Sequence, residues 1–578
     1  MIIKNTTLKN FLESHPCCPA PPRPNTTVQF QIADTSQPPL INSPSPLYRP
    51  AWAALLEAYP GDLPTAIDNI LRFGALIGYS GSDKYIVSKN LKSTSLNPTV
   101  LTEKVSSDIN LRRIREVQPK PPGPFISSPL GLVPKPGNKW RTIHHLSYPP
   151  RESVNDSIDE EAAYFKYVSF ERILSMVLKA GRNCTMLKRD MKDAFRMIPI
   201  APQHHWLMGF SWDGKFYVEQ VLSFSLRTAP IIFNLFAEAW EWIVRSYLRW
   251  HLIEHYLDDM MAAFPASQGK QLTKFKRGYP ELCDITGILR NDDKDAEGTT
   301  IKFLGRIVDS TTFTVYIPQD KVDRVISLTA DALVSNSMTI HEAQQLAGLL
   351  SFCASAVQLG FVFCRRIWSF VASFRSEWNK EFKRRIPAPV REDVQWWHDL
   401  FPAFNGVRFF DDSNRGIIHL FADASAQGMG AFYFDNVNSP TCDWKEHACH
   451  LPPEQALALP LPHCDPHEPF NINIFEITAL LRAFEVWSQQ WKGKLVVIHT
   501  DSSTAQLGLI KLTLKAESQN EPLRRLLLLA AQLDIKIEPQ HLPGEENGLA
   551  DALSREIQDH IADWCPHWQK SYHSLSRQ

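Results

Sequence analysis

Apolar residues recur along this chain at helical spacing in some stretches and at strand spacing in others, and the places where the spacing changes divide it. Trp52, Leu55, Leu56 and Tyr59 fall on one helical face, which predicts short helices from Ala51 to about Leu111. Ile126 to Ser147 reads as two short strands around the turn Lys135-Pro136-Gly137-Asn138-Lys139. Strand and helix patterns then alternate to about Pro318. From Asp320 to Phe374 the pattern is helical, with Leu346, Leu349, Leu350 and Phe352 on a buried face, and Pro387-Ala388-Pro389 marks a linker. A new α/β unit begins near Gly416, with strands over Ile417 to Ala422, Gly430 to Phe434 and Lys494 to Thr500 and a helix from Phe475 to Trp491. The first fifty residues, rich in Pro, Ser, Thr and Asn, are expected to form a loose arm. The expected division is therefore a Pro-rich arm (1–50), a helical segment (51–111), a mixed region (112–318), a helical region (319–405), an α/β unit (415–556) and a tail (557–578).

Composition changes this picture little. At 578 residues, 44% hydrophobic and 11% aromatic, the chain is globular and long enough for three or four domains. Its ten cysteines lack disulfide-like spacing, and Met1 to Leu12 carries Lys and Asn where a signal peptide needs an apolar run. An intracellular protein, cytoplasmic or nuclear, is expected. Apolar stretches such as Leu526 to Leu533 fall short of the roughly 20 residues a membrane span needs, so no membrane partner is expected. The formal net charge of -1 argues against a polyanion partner, but the basic residues cluster. Lys104, Arg112, Arg113, Arg115, Lys120, Lys135, Lys139 and Arg141 form one run, and a second, from Arg365 to Arg391, includes Arg366, Arg375, Lys380, Lys383, Arg384 and Arg385. Two such patches suit a nucleic-acid groove, and solvated helix faces explain either one about as well.

Candidate chemistry starts from His255-Tyr256-Leu257-Asp258-Asp259-Met260-Met261, where two adjacent carboxylates sit among apolar residues. Such a pair repels itself and is costly to desolvate unless a cation sits between the charges. Alone, an Asp pair is more often a turn. A third carboxylate, Asp190, ends the apolar strand Met186 to Asp190, and pairing that strand beside the Asp258 hairpin would bring all three together. Such a cluster can hold two Mg2+ ions about 4 Å apart and points to nucleotidyl transfer. Phe195 would then lie beneath the incoming sugar and disfavour a 2'-hydroxyl. In the C-terminal unit Asp423, Glu476, Asp501 and Asp551 each stand at the boundary of a regular element. Any one of them is more often a cap or a surface charge. Four together fit a second two-metal site that aligns water for phosphodiester hydrolysis.

Five ordered motifs between Ser128 and Gly305 resemble those of retroelement reverse transcriptases. Asp190 to Phe195 resembles the first catalytic motif and Tyr256-Leu257-Asp258-Asp259 the Y-x-D-D box. Leu222 to Phe233 is similar to the segment that contacts template and nucleotide, Phe303-Leu304-Gly305 to the primer grip, and Ser128 to Lys135 followed by Lys139-Trp140-Arg141 to the fingers hairpin. The C-terminal unit resembles ribonuclease H, with His541-Leu542-Pro543-Gly544 through Arg555 similar to its last motif. Among retroelements the order of parts is most similar to DIRS-like elements, with gypsy-type elements next. The resemblance implies an α/β (α+β) right-hand polymerase: fingers and palm over 112–318, thumb and connection over 319–405, and a mixed-sheet ribonuclease H-like domain over 415–556. It implies RNA-directed DNA synthesis and cleavage of RNA in RNA/DNA hybrids. Two Mg2+ ions, or Mn2+ in their place, would serve each site, and the partners would be RNA or DNA template-primer and deoxynucleoside triphosphates. Lys135 and Arg141 would hold the triphosphate, Phe195 and Ser225 would border the nucleotide, Lys294 would lie near the leaving pyrophosphate, and His541 would assist proton transfer or product release.

Three positions depart from that pattern. Ser223 and Ser225 replace Pro and Gly, and His145 replaces Asp. They favour a competing reading, a domesticated relic that binds nucleic acid without catalysis, while retention of all seven carboxylates favours the enzyme. A cellular ribonuclease H with an unrelated partner domain would leave Tyr256 to Asp259 unexplained. No integrase or recombinase pattern follows Arg555, so a fragment of an element or a separated product is expected. Cys442, His447, Cys449, His450, His463, Cys464 and His467 suit Zn2+ by type but match no zinc spacing, and a metal-free surface insertion is expected there. Asp34-Thr35-Ser36 resembles an aspartic protease triplet without its Gly and is read as arm sequence.

Overall fold

The computed structural model describes residues 2–23, 27–117, 123–135, 137, 139–357, 360–375, 379–405, 408–410, 415–435, 451–461, 471–514, 516–557 and 560–561. The cysteine and histidine cluster of residues 442–467 lies outside them. The chain forms two compact units, Met1–Ile301 and Lys302–Gln578. The division falls ahead of residue 318 because Arg306–Asp309 and Thr314–Tyr316 join a sheet with Arg408–Phe409, far along the chain. Among the described residues no helix is long and apolar enough to cross a membrane.

In the first unit α1 (Ile2–Ser14) opens the chain, the hairpin of β1 (Leu130–Lys135) and β2 (Lys139–His144) follows a group of helices, and α2 (Phe170–Ala180) leads into β3 (Thr185–Asp190). The long helix α3 (Ala229–Leu248) precedes the hairpin of β4 (Ile253–Tyr256) and β5 (Asp259–Phe264), and α4 (Gly269–Thr286) and β6 (Ala296–Gly298) complete the unit. One antiparallel sheet runs β6, β3, β5, β4. Met260, Met261, Ala262, Ala263 and Phe264 of β5 are all buried, without the usual alternation, since α2 and α4 both pack on that strand. Helix α3 is apolar nearly all round and runs through the core, where Phe233 and Trp240 join Trp52, Phe264 and Phe275 among fully buried rings. A second sheet, in the order Tyr85–Val87, Phe125–Ser127, Gly209–Trp212, Lys215–Glu219, Ile114–Val117, adjoins the β1–β2 hairpin.

The Pro-rich arm is not loose. Leu8 and Phe11 of α1 are buried, and the Cys18 amide donates to the Ser246 carbonyl of α3 over 3.1 Å. The Ala20 amide donates to Ser246 Oγ (3.0 Å), and the Trp242 indole donates to the Ala20 carbonyl (2.7 Å). The prolines in this segment carry no N–H, and the Cys18 and Ala20 amides between them find partners on the helix.

In the second unit the helices α5 (Gln319–Ser335), α6 (Ile340–Ala354), α7 (Arg365–Ala372) and α8 (Ala388–Phe404) fill the region expected to be helical. Thr339 and Glu342 form a capping box that starts α6. Leu346 and Leu350 are buried as expected, while Leu349 and Phe352 are half-buried. Pro387-Ala388-Pro389 is not a linker: Pro387 caps α8 and Pro389 sits in its first turn, where a missing N–H costs nothing. Much of the second basic run is also committed internally. Arg366 pairs with Glu392 and Glu521, Arg365 donates to Thr513 and to the Leu514 carbonyl, Arg384 to Ser373, and Arg391 to the Leu333 carbonyl.

A mixed sheet follows in the same unit. It comprises β7 (Ile417–Ala424), β8 (Gly428–Phe434), β9 (Ala456–Pro460), β10 (Leu495–Thr500) and β11 (Lys536–His541), in the order β9, β8, β7, β10, β11. The β7–β10 and β10–β11 pairs are parallel and the others antiparallel. Helix α9 (Ile472–Trp487) packs on β7 and β8, α10 (Ser503–Lys511) follows β10, α11 (Glu517–Gln532) packs on α9, and α12 (Gly548–Arg555) lies across β7 and β8.

Candidate active sites

The first site forms where β3 ends and β5 begins. In the antiparallel register Asp259 lies opposite Asp190 on one side and opposite Tyr256 on the other, so Leu257 and Asp258 are the two loop residues of a tight hairpin. Leu257 has φ +51°, the left-handed region that such a turn requires at its first loop position and that a leucine adopts only under constraint. The Met191 amide donates to the Asp258 carbonyl (3.1 Å), tying the turn to the end of β3. Asp190, Asp258 and Asp259 thus converge as their spacing predicted.

Their electrostatics record the crowding. Burial, then Asp259 and Asp190, push the Asp258 carboxyl up to about 6. Asp259 is raised by burial and by Asp190, against the pull of Lys188. Two cations and an amide sit against these acids: Lys294 Nζ is 3.1 and 3.2 Å from the two oxygens of Asp190, Asn291 Nδ2 donates to Asp190 Oδ2 (2.8 Å), and Lys188 Nζ is 3.0 Å from Asp259 Oδ1. With these partners in place, no group of three or more His, Cys, Asp and Glu side chains among the described residues is arranged as a metal cage. The donors nevertheless fit a hard divalent cation: they are all carboxylate oxygens, and burial and neighbouring acids raise both Asp258 and Asp259.

Around this cluster the residues expected to bind the nucleotide come together. Lys135 and Arg141 are diagonal neighbours on one face of the β1–β2 hairpin, where Lys135 pairs with Lys139 and Val133 with Arg141. Burial lowers the Lys135 ammonium, with help from Arg141, Lys294, Lys104 and Lys139, so these cations share one neighbourhood. The Arg141 guanidinium lies 5.9 Å from the ring of Phe224, whose ring in turn meets Phe195 edge-on at 5.0 Å. Phe195 is buried against Phe233, while Phe224 is exposed. Ser225 does not obstruct this arrangement. Its backbone is outside the left-handed region, and its hydroxyl donates to the His144 carbonyl of β2. Asn155 Nδ2 donates to the Ser225 carbonyl (2.8 Å), and Asn155 Oδ1 accepts from the Arg227 amide (2.9 Å). Ser223 is buried in the same turn, its carbonyl accepting from the Leu226 amide (3.2 Å). His145 donates its amide to the Pro129 carbonyl (2.8 Å) and meets the Tyr148 ring edge-on.

The second site lies at one end of the mixed sheet. Asp423 is near the end of β7, Glu476 on α9, Asp501 just past β10 and Asp551 on α12. Burial first, then Asp501, Asp551 and Glu476, raise the Asp423 carboxyl to about 7 although Ser554 Oγ donates to its Oδ2 (2.9 Å). Glu476 is raised by burial and by Asp501. Asn547 Nδ2 donates to Asp501 Oδ1 (3.3 Å) and to the Ala422 carbonyl (3.2 Å), and Asp551 pairs with Arg555 at 2.7 Å. The other three acids therefore all act on Asp423. His541, exposed at the end of β11, is in register with Thr500, the residue before Asp501. Sequence reasoning passed over Ser554, Asn547, Asn291 and Lys188. Lys188 could have been read from strand alternation, which puts it on the same face as Asp190.

Gly430 permits this geometry. It lies opposite Asp423, and a Cβ there would fall 2.3 Å from the Ala550 carbonyl oxygen and 2.5 Å from the Ser554 amide nitrogen. Helix α12 can carry Asp551 and Ser554 to Asp423 only over a glycine. Gly430→Ala is expected to cost about 1–3 kcal/mol of stability in chemical denaturation; a wild-type denaturation midpoint would contradict the packing described.

No family model matches the chain. It is 32% identical over 109 residues to the Pro-Pol polyprotein of Simian foamy virus type 1 and 23% identical over 235 residues to that of Feline foamy virus. These alignments take in 19% and 40% of this chain and only 9% and 18% of the polyproteins. Among solved structures, the foamy viral protease-reverse transcriptase in complex with RNA/DNA hybrid aligns over 80% of this chain and 56% of its own, at 14% identity and a TM-score of 0.46. Its dRH form in complex with ds DNA aligns over 88% and 84%, at 15% identity and a TM-score of 0.45. The polyprotein matches bear out the resemblance to retroelement reverse transcriptases and single out neither DIRS-like nor gypsy-type elements.

Proposed function

We propose that the chain is an RNA-directed DNA polymerase with an associated ribonuclease H activity. The observation that carries this reading is the register that sets Asp190 opposite Asp259 with Asp258 in the intervening turn. The similarity to foamy virus Pro-Pol polyproteins supports it. Asp190, Asp258 and Asp259 would hold divalent cations, Mg2+ or Mn2+, that activate the primer hydroxyl and neutralise the leaving pyrophosphate; Asp423, Glu476, Asp501 and Asp551 would hold those that align water for cleavage. Lys135 and Arg141 bind the triphosphate of the incoming deoxynucleotide, one as a point charge and one as a fork. Phe195, backed by Phe233 and edged by Phe224, forms the wall beneath the sugar, and Ser225 holds the template segment to β2. Lys294 keeps Asp190 oriented and is the cation placed to meet the departing pyrophosphate. His541, in register with Thr500 next to Asp501, would move a proton or assist product release at the exposed rim of the second site.

Incorporation of labelled dTTP on poly(rA)/oligo(dT), dependent on Mg2+ or Mn2+, tests this reading. Absence of incorporation where a control enzyme works would return the chain to the competing reading, a relic that binds nucleic acid without catalysis. The cation requirement also has a signature that needs no substrate. Asp258 and Asp423 have folded-state values of about 6 and about 7 against an ordinary 3.8, so the folded state holds their protons more tightly than the unfolded chain does. That contribution to stability is full below pH 3.8 and is lost as pH rises through 6 and 7. A bound cation offsets the loss. The gain in melting temperature from Mg2+ or Mn2+ over EDTA is therefore expected to grow between about pH 5 and about pH 8; a gain independent of pH would contradict cation binding at these acids.

A further inference from the structure

The strand that delivers the Tyr256–Asp259 turn is the edge of its sheet, and two acids lie buried beside it. β4 pairs with β5 on one side and ends the sheet on the other. Strand alternation sends Glu254 and His255 to opposite faces of β4. Glu254 is nearly buried on one face, and on the other His255 Nδ1 lies 2.6 Å from Oε2 of Glu241, a fully buried acid of α3. Carboxylates this far from water are costly unless paired and hydrogen-bonded. Arg172 of α2 serves Glu254 (2.8 Å) and Arg245 serves Glu241 (3.5 Å), each from one side.

Arg23 reaches both. Its Nε donates to Glu241 Oε1 (2.8 Å) and its Nη2 to Glu254 Oε2, while its own side chain is only 15% exposed. A guanidinium can do this because its donors diverge in a rigid fork; an ammonium would reach one acid at a time. The residue comes from the Pro-rich arm, which the Cys18, Ala20 and Trp242 bonds to α3 hold in place just before it. We propose that Arg23 is a positioning residue for the polymerase site, an arm-borne clamp across the free edge of β4 that fixes the turn carrying Asp258 and Asp259. The proposal rests on the polymerase reading of that turn. It gives the arm residues leading to Arg23 a role in the chemistry through the strand they hold. The clamp acts on the strand two residues before Tyr256, and a displacement of about 1 Å in a metal ligand is enough to cost about a hundredfold in rate.

The test compares full-length wild type, Arg23→Met and Arg23→Lys by amide hydrogen exchange and by primer extension. In Arg23→Met, exchange is expected to accelerate in peptides spanning residues 253–259 while the rest of the first unit stays protected. Extension turnover is expected to fall by about tenfold to a hundredfold with little change in KM for the nucleotide, and Arg23→Lys is expected to restore part of both. Hybrid cleavage, which belongs to the second unit, should be unaffected. Unchanged exchange at residues 253–259 would overturn the clamp whether or not the enzyme polymerises, and loss of protection throughout the first unit would overturn it as a local device. An inactive wild type in which Arg23→Met still loosens the turn would leave the clamp standing and sink the polymerase reading instead.

Discussion

Asp258→Asn is expected to lower primer extension by at least about a thousandfold, the rate equivalent of about 4 kcal/mol, while the protein melts at the same temperature or slightly higher in EDTA. The two halves of this expectation have one cause. Asp258 sits in a two-residue turn among Asp190 and Asp259, with its carboxyl pushed up to about 6 by burial and by those neighbours. An amide of the same shape removes the repulsion, which favours the fold, and on the proposed assignment it would also remove a ligand for the cation and with it the chemistry. A structural acid would behave in the opposite way, losing stability when neutralised and leaving turnover alone. Melting curves of the two proteins in EDTA and in Mn2+ distinguish the cases: the wild type should gain more from the metal than the variant.

Asp423→Asn is the counterpart in the second unit. Hydrolysis of RNA in a hybrid is expected to fall by about a hundredfold or more, with primer extension retained. Asp423 is the acid on which Asp501, Asp551 and Glu476 all act, and the Ser554 hydroxyl that donates to its Oδ2 can equally donate to the Asn carbonyl oxygen. The substitution therefore keeps the local packing of α12 against β7 and removes only the charge. Retained hydrolysis would show that the four acids are a consequence of the sheet's geometry and not its purpose.

Asp190, Asp258, Asp259, Asp423 and Asp501 were legible in the sequence because each lies at or near the end of a strand whose rhythm is strong, whereas Glu476 and Asp551 lie within α9 and α12. Asp190 closes an apolar strand, Asp258 and Asp259 interrupt one, and Asp501 follows Leu495–Thr500. What surrounds those acids was not legible. Ser225 in place of Gly looks like an obstruction until its hydroxyl is seen to turn toward the His144 carbonyl, a contact made across the fold. The basic run beginning at Arg365 looks like a groove for a polyanion, yet Arg365 and Arg366 are spent on Thr513, Leu514 and Glu521, well over a hundred residues away. Composition marks the arm as loose, but composition says nothing of the Ser246 and Trp242 groups that bind it. Pro387 and Pro389 punctuate the chain as expected and begin a helix instead of a linker, because proline is equally at home in a first turn. Local periodicity reports which faces are buried; it does not report which partner buries them, and long-range polar partners decide how the sites are held.

The most direct measurement of the account uses one substrate, a labelled DNA primer on a differently labelled RNA template, with both strands resolved in the same lane after incubation with Mg2+ and deoxynucleoside triphosphates. Wild type should lengthen the primer and shorten the RNA, Asp258→Asn should only shorten the RNA, and Asp423→Asn should only lengthen the primer. Primer extension by Asp258→Asn at the wild-type rate would contradict the assignment of Asp190, Asp258 and Asp259 as the polymerase centre.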